Sequence, residues 1–403
     1  MAEKRILITK ATSNMVLADD VYTLDNRLVI SKGTVLTDEV IAALKDYSIF
    51  AIRIVVENDG ETPVLKEGEK DVDMLPKLDI SEEMMIDPFS AAFVNPVTDE
   101  AESDIKEERE EYFSQVRETK EFKEFHSSFV ESVDGLKETF NNVVMKNEEI
   151  DADGMLSDID NVVSKGRNSL HILDMLQCMR GYNDVTYVHC LNVALLSNMI
   201  GRIVYPDMDK AELDVLTLSG LLCDIGKMLV PEEIIMKKGR LTLPEYNIVK
   251  THVFHGNNIL KRLNLDPRIA EVAMRHHERC DGSGYPGGYR RDQIEEFARI
   301  VAIADTYDAM TSDRVYRSAM CPFDVIHMFE LEGLVKYDVI FLLPFLEKAV
   351  QTYVNAKVRL SNDEIGRIIM INQKEFSKPI VQVGDVFYDL SEDSSIRIRQ
   401  VLS

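Results

Sequence analysis

The chain has 403 residues, enough for two or three domains and a sizeable core. Its formal charge is −24, from 46 Lys and Arg against 70 Asp and Glu, so the surface as a whole repels a phosphodiester polymer, which argues against general nucleic-acid binding. A small anion can still be held where a few cations and metal ions converge.

The polar and apolar residues recur mostly at three- and four-residue spacing, so a mostly α fold is expected. Residues 1–58 read as a small α+β module. Strands are predicted around Met15–Tyr22, at Leu28–Ile30 and at Ala51–Val55, with a short amphipathic helix opened by Thr37-Asp38-Glu39. Nothing in it resembles a catalytic cluster, so its role is regulatory or architectural. The opening Met-Ala-Glu-Lys-Arg lacks the apolar core and cleavage pattern of a signal peptide, and the most tempting apolar run, Val339–Leu343, stops at Pro344. The expectation is a cytoplasmic protein with no membrane span.

Residues 61–110 carry 16 acidic and 5 basic side chains with Pro63, Pro76, Pro88 and Pro96. Such a composition buries too little apolar surface to order itself, so 59–106 reads as an acidic linker. Across 107–180, Phe113, Val116, Phe122, Phe125 and Phe129, then Met155, Ile159, Val162 and Val163, mark a helical connector. It would pack on a neighbour or on a second copy of the chain, as a homodimer. His126 and His171 stand alone there and are read as non-functional.

After residue 357 the pattern turns to short strands at 357–360, 368–371, 380–383, 386–388 and 396–398, with Gly384-Asp385 as a hairpin turn. A small β appendage is expected at 357–403. The five cysteines, Cys178, Cys190, Cys223, Cys280 and Cys321, are odd in number and unpaired in spacing, which argues against a disulfide framework.

Chemistry concentrates in 181–356, where five of the eight histidines fall between residues 189 and 277. The adjacent His276 and His277 point about 100° apart on a helix, so they suit two neighbouring ions better than one. The bland alternative is an exposed helix end before an Asp-Gly turn. Imidazoles and carboxylates together suit Zn, Mn and Fe, and two such ions side by side clamp a phosphoryl group and activate a water. The candidate ligands are His189, Asp224, His252, His276, His277 and Asp305, with Asp224 as the bridging carboxylate.

The stretches Tyr187-Val188-His189-Cys190-Leu191-Asn192-Val193-Ala194, Leu221-Leu222-Cys223-Asp224-Ile225-Gly226-Lys227, His252-Val253-Phe254-His255-Gly256, His276 to Pro286, and Ala298 to Arg317 resemble, in this order, the HD-GYP family. That family comprises bacterial cyclic di-GMP phosphodiesterases of the HD hydrolase superfamily, and the resemblance spans about residues 180–356. It implies an HD-type helical bundle holding two divalent ions (Fe, Mn or Zn) on the six ligands above. It implies contacts from Lys227, Arg314 and Arg317 to the scissile phosphate, with Lys227 and Asp224 catalytic. Gly282, Gly284, Tyr285 and Pro286 form the signature substrate loop, and Asp281 and Asp308 are candidates to orient ligating imidazoles.

Two positions depart from the family. Cys223 stands where the family has the histidine of its His-Asp pair, and Val185 stands where some members place a glutamate for a third metal, which points to at most two ions. Cys223 either ligates as a thiolate or packs as an inert thiol. The implied activity is hydrolysis of cyclic di-GMP to pGpG and on to GMP. The alternatives are a degenerate domain that senses cyclic di-GMP, or a module that docks a partner such as a diguanylate cyclase.

Overall fold

In a computed structural model of the chain, the described residues are 116–179, 185–237, 239, 241–312, 320–392 and 395–402, with 2–7, 11–13, 15–19, 21–22, 28–30, 32–37, 40–41, 44 and 51–56 nearer the start. The acidic linker lies outside them. The chain divides into two units, Met1–Asp79 and Ile80–Ser403.

In the first unit β1 (Ala2–Leu7) pairs antiparallel with β4 (Ala51–Val56), and β2 (Val21–Tyr22) pairs with β3 (Leu28–Ile30). Single bridges from Val16 to Val35 and from Leu17 to Ile54 tie these ribbons together. A two-stranded ribbon is marginal in water unless one face is covered. Here Leu17, Leu36, Leu44, Ile52 and Ile54 supply a small buried core.

The second unit opens with α1 (Lys120–Met145), capped by Thr119, whose Oγ1 accepts from Phe122 N at 3.2 Å. Phe125, Phe129, Val133, Leu136, Phe140 and Val143 recur every three or four residues and are buried. Each buried phenylalanine contributes roughly 1.5–3 kcal/mol, more than the few tenths by which Phe falls short of Ala as a helix former. Tertiary packing therefore holds the helix. The cover comes from α2 (Ala152–Ser164), α3 (Ser169–Cys178), α4 (Val185–Val204) and α5 (Lys210–Leu222). Cys190, Leu191, Leu218 and Leu221 of α4 and α5 lie in the same core as Phe125 and Phe140.

Then follow α6 (Leu243–Lys250), α7 (His252–Leu260), α8 (Pro267–Arg275), α9 (Glu296–Thr311), α10 (Pro322–Met328) and α11 (Val339–Gln351). A wide π turn at Phe329–Gly333 follows α10. The last strands, β5 (Lys357–Leu360), β6 (Ile365–Met370), β7 (Ile380–Val383), β8 (Val386–Asp389) and β9 (Ile398–Val401), form an antiparallel sheet in the order β8-β7-β6-β5-β9. Gly384, at φ +58°, makes the β7–β8 turn. The final strand lies two residues later than expected at its start, because its pairing with β5 sets Leu360 opposite Ile398 and Val358 opposite Val401. Val358, Leu360, Ile368, Val381 and Ile398 are buried in the same hydrophobic core as Phe341 and Phe345 of α11 and Ile300 and Val301 of α9.

Contrary to the sequence reading, one stretch does reach spanning length. Thr186–Val204 in α4 is long and apolar enough to cross a membrane, yet 72% of it is buried inside the structure, as a core helix is. Pro344 sits inside α11 rather than ending it.

Candidate metal centre

Five elements meet at one point. α4 presents His189, the turn after α5 presents Asp224, α7 begins with His252, α8 runs out into His276 and His277, and α9 carries Asp305. The turn after α5 approaches α7 very closely. A methyl on Gly226 would lie 2.0 Å from the His252 carbonyl oxygen and 2.4 Å from Gly256 N, so only glycine allows Asp224 and His252 to meet. At α8, Asp266 caps the helix start and Pro267 occupies the first turn, where no backbone N–H is missed.

Among the described residues two sets of ligand atoms each lie within 4.8 Å of one another: His189, Asp224 and Asp305 in one, and Asp224, His252, His276 and His277 in the other. Asp224 belongs to both, as a bridging carboxylate must. Its Oδ1 faces His252 Nε2 at 3.3 Å and His276 Nε2 at 3.6 Å, and its Oδ2 lies 3.5 Å from His189 Nε2. Oδ2 also accepts from Lys227 Nζ.

The hydrogen-bond logic of the second group demands a cation. His252 Nδ1 lies 2.7 Å from the Val249 carbonyl, and His276 Nδ1 lies 3.2 and 3.1 Å from those of Val272 and Ala273. Carbonyl oxygens only accept, so each Nδ1 carries the proton and each Nε2 turns a bare lone pair inward. Asp224 Oδ1, His252 Nε2 and His276 Nε2 are thus three buried acceptors aimed at one another, and none has a hydrogen-bond partner. Buried polar atoms left in this state are costly, and a divalent ion satisfies all three. Burial holds His252 down at about 3, against the opposing pull of Asp224, so its imidazole is neutral. Burial and then the neighbouring His276 likewise hold His277 well below the usual histidine range. The residues fit a metal.

The carboxylates are ready to ligate as anions. Burial alone would raise Asp224, but the ammonium of Lys227 beside it leads the effects that hold the carboxyl well below its usual range. At Asp305 burial, which alone would raise the carboxyl, is overcome chiefly by the hydrogen bond with His189, and the carboxyl is held below its usual range. Asp308 Oδ2 lies 2.6 Å from His189 Nδ1, while Asp305 Oδ1 lies 3.0 Å from Nε2 of the same ring. Asp308 also accepts from Asn192 Nδ2 at 2.8 Å and from Ser312 Oγ at 2.9 Å. This is the carboxylate–histidine pairing that fixes ring orientation and tautomer at metal sites.

Beyond His277 the chain folds back on itself. Tyr285 N donates to the His277 carbonyl at 3.2 Å, and the Tyr285 ring stacks on that of His277, with centroids 4.7 Å apart and planes 26° apart. A methyl on Gly284 would sit 2.4 Å from both Arg279 N and His277 O, so that close return needs glycine. Gly282, at φ +86°, makes the bend, and Pro286 follows Tyr285. Glu278, which sequence reasoning missed, is 2% exposed and does not turn toward the metal groups. Its carboxylate accepts from Gly287 N at 2.6 Å and Tyr289 N at 3.0 Å, which cinches the loop. No spacing signal distinguishes such a carboxylate from a ligand. Behind the loop, Arg279 lies over the Tyr337 ring at 4.9 Å, and Cys280 N donates to the Lys336 carbonyl at 2.8 Å.

The sequence candidates thus sort as follows. All six proposed ligands converge, Asp308 orients an imidazole, and Lys227 touches the shared carboxylate. Asp281 does not reach an imidazole in any hydrogen bond of the described residues; its Oδ1 accepts from Ser283 N and Oγ at 2.9 and 2.7 Å, which fixes the turn instead. Cys223 joins neither group of ligand atoms. Its Sγ donates to the Gly220 carbonyl at 3.2 Å, and burial, then the Asp224 charge, pushes the thiol's pKa well up, away from the thiolate a metal needs. Arg314 and Arg317 lie outside the described residues.

A family model described as an HD domain matches residues 179–339. The chain is 36% identical over 240 residues to the cyclic di-GMP phosphodiesterase PA4108 of Pseudomonas aeruginosa, a match covering 58% of this chain and 55% of that protein. It is 39% identical over 153 residues to a cyclic di-GMP phosphodiesterase of Thermotoga maritima, covering 36% of this chain and 40% of the other. Over 149 residues it is 37% identical to the 3′3′-cGAMP-specific phosphodiesterase 1 of Vibrio cholerae, covering 36% of this chain and 34% of the other. The chain therefore spans about half, or less, of the length of these curated relatives. Residues 179–339 match the HD domain model, and the motifs they carry in order resemble those of the HD-GYP family.

Proposed function

We propose that the chain is a metal-dependent phosphodiesterase that opens cyclic di-GMP to linear pGpG, with GMP as a further product. The observation that carries this reading is the convergence of Asp224 Oδ1, His252 Nε2 and His276 Nε2 as three buried acceptors with no donor between them. When bound, two divalent ions (Fe, Mn or Zn) would supply Lewis acidity and a water acidic enough to react near neutral pH. Asp224 divides its two oxygens between the two groups and sets their spacing. Lys227 places an ammonium beside that carboxylate, where charge grows on the phosphate oxygens as the bond to the 3′ oxygen breaks. Asp308 keeps His189 in one orientation, and in the same reading Arg314 and Arg317 bind the scissile phosphate. Relatives named for cyclic di-GMP and for 3′3′-cGAMP support a 3′,3′-linked cyclic dinucleotide as the substrate class.

The seat of Cys223 away from both groups favours one second reading, a domain that binds cyclic di-GMP without turning it over. The test is to load the purified protein anaerobically with Fe, Mn or Zn and follow cyclic di-GMP and 3′3′-cGAMP by chromatography. Appearance of the linear dinucleotide supports the enzyme. No turnover with any metal, together with activity gained by Cys223→His, would sink it and leave the binding module.

A further inference from the structure

We propose that Lys250, with the rings of Tyr246 and Tyr285, forms a second anion subsite beside the metal centre that takes the non-reacting phosphate of a cyclic dinucleotide. This rests on the phosphodiesterase reading above and adds to it a residue that the motifs do not mark.

The subsite is built outward from a metal ligand. Tyr285 stacks on His277, and the Tyr246 ring meets Tyr285 edge-on, with centroids 6.5 Å apart and planes 78° apart. Lys250 Nζ stands 5.0 Å from the Tyr246 ring centre and 5.8 Å from that of Tyr285. Tyr246 and Lys250 are four residues apart on α6 and so share a face. The helix is fixed at its start by a capping box between Thr242 and Glu245, with Pro244 in the first turn. The wall is therefore held in place by local structure.

What marks Lys250 is that no carboxylate pairs with it among the described residues. In a chain of net charge −24, the neighbouring Lys237 is paired with Glu245 at 2.6 Å and Lys227 with Asp224. Lys250 is half-buried, and among the described residues its contacts are the two aromatic rings. Ring faces attract an ammonium but cannot accept strong hydrogen bonds from its three N–H groups. A favourable position at a helix C-terminus accounts for the charge, though not for its burial between rings with no acid among the described residues. A phosphodiester oxygen would complete it. A cyclic dinucleotide supplies such a group, because one of its two phosphates reacts at the metals and the other stays intact and anionic. Tyr246 and Tyr285 also offer ring surface against which a purine can stack.

The test compares a ligand of two phosphates with one of a single phosphate. Calorimetry on metal-loaded wild type, Lys250→Gln and Lys250→Arg uses cyclic di-GMP and GMP, with bound metal and Tm recorded for each protein. Lys250→Gln is expected to weaken cyclic di-GMP about tenfold or more, as loss of a charged hydrogen bond does, while GMP affinity changes less than twofold. Lys250→Arg is expected to restore most of the loss, with metal content and Tm unchanged throughout. Equal weakening of both ligands, a fall in bound metal, or no change for cyclic di-GMP would each overturn the subsite. If wild type neither binds nor hydrolyses cyclic di-GMP or 3′3′-cGAMP, the phosphodiesterase reading itself fails, which is a result distinct from a variant that binds like wild type.

Discussion

Asp308 grips His189 Nδ1 at 2.6 Å from a position one helical turn beyond Asp305, so a single helix both carries one candidate ligand and aims a candidate ligand of another helix. Replacing Asp308 with Asn keeps the size but removes the charge that sets the His189 tautomer. Metal affinity is expected to fall about 10–100-fold. Competition with a chelator of known affinity measures this, and an unchanged affinity would show that Asp308 is only packing.

Removing the metals should destabilise the domain, because Asp224 Oδ1, His252 Nε2 and His276 Nε2 have no hydrogen-bond partner among the described residues. At a free metal concentration a hundredfold above Kd the gain is about 2.7 kcal/mol. Scanning calorimetry with a chelator and then with added Mn or Zn is expected to show Tm fall and recover, and His252→Ala should abolish most of the recovery.

The metal-free protein should also lose stability in acid. His252 is held at about 3 by burial, whereas an unfolded histidine titrates near 6.5, so between these values the unfolded chain takes up a proton that the folded chain refuses. This contribution is complete above about pH 6.5 and falls with pH at up to about 1.4 kcal/mol per unit. Thermal unfolding of chelator-treated protein from pH 8 to pH 5 tests the sign; a Tm that stays level would count against a neutral buried His252.

Cys223→Ala tests the thiol directly. With Sγ bonded to the Gly220 carbonyl and outside both ligand groups, the substitution is expected to leave metal per chain unchanged and to cost about 1 kcal/mol of stability. Elemental analysis and urea unfolding read the two quantities separately. Loss of one metal per chain would mean that the thiol turns and ligates.

Gly284→Ala forces a methyl to 2.4 Å from two backbone atoms that cannot swing aside. A cost of about 1–3 kcal/mol is expected, with loss of the Tyr285 stack on His277. Urea unfolding gives the first, and the drop in turnover relative to the stability loss gives the second.

Much of this was legible in the sequence because the six candidate ligands sit in motifs whose order is distinctive and because the strands after residue 357 alternate plainly. What was hidden depends on contacts distant in sequence. Glu278 lies next to two ligands and has a ligand's chemistry, and only the returning loop shows that its oxygens are claimed by Gly287 and Tyr289. Asp281 invited a role at an imidazole, yet a serine two residues away takes its bonds first. The helices before residue 180 and the strands after 357 looked separable, because a sequence shows that a face is apolar without showing what covers it. Phe125 and Ile368 turn out to lie in the cores of the metal-binding helices.

Helix α9 carries one last consequence. Of its 16 residues 13 are buried, and packing surrounds it on every side. A rod so enclosed has no room to roll or slide, so Asp305 and Asp308 keep their places whether or not an ion is present. The entropy of arranging them is spent when the chain folds rather than when metal arrives. Mutations on α9 should therefore show up as misfolding sooner than as altered kinetics.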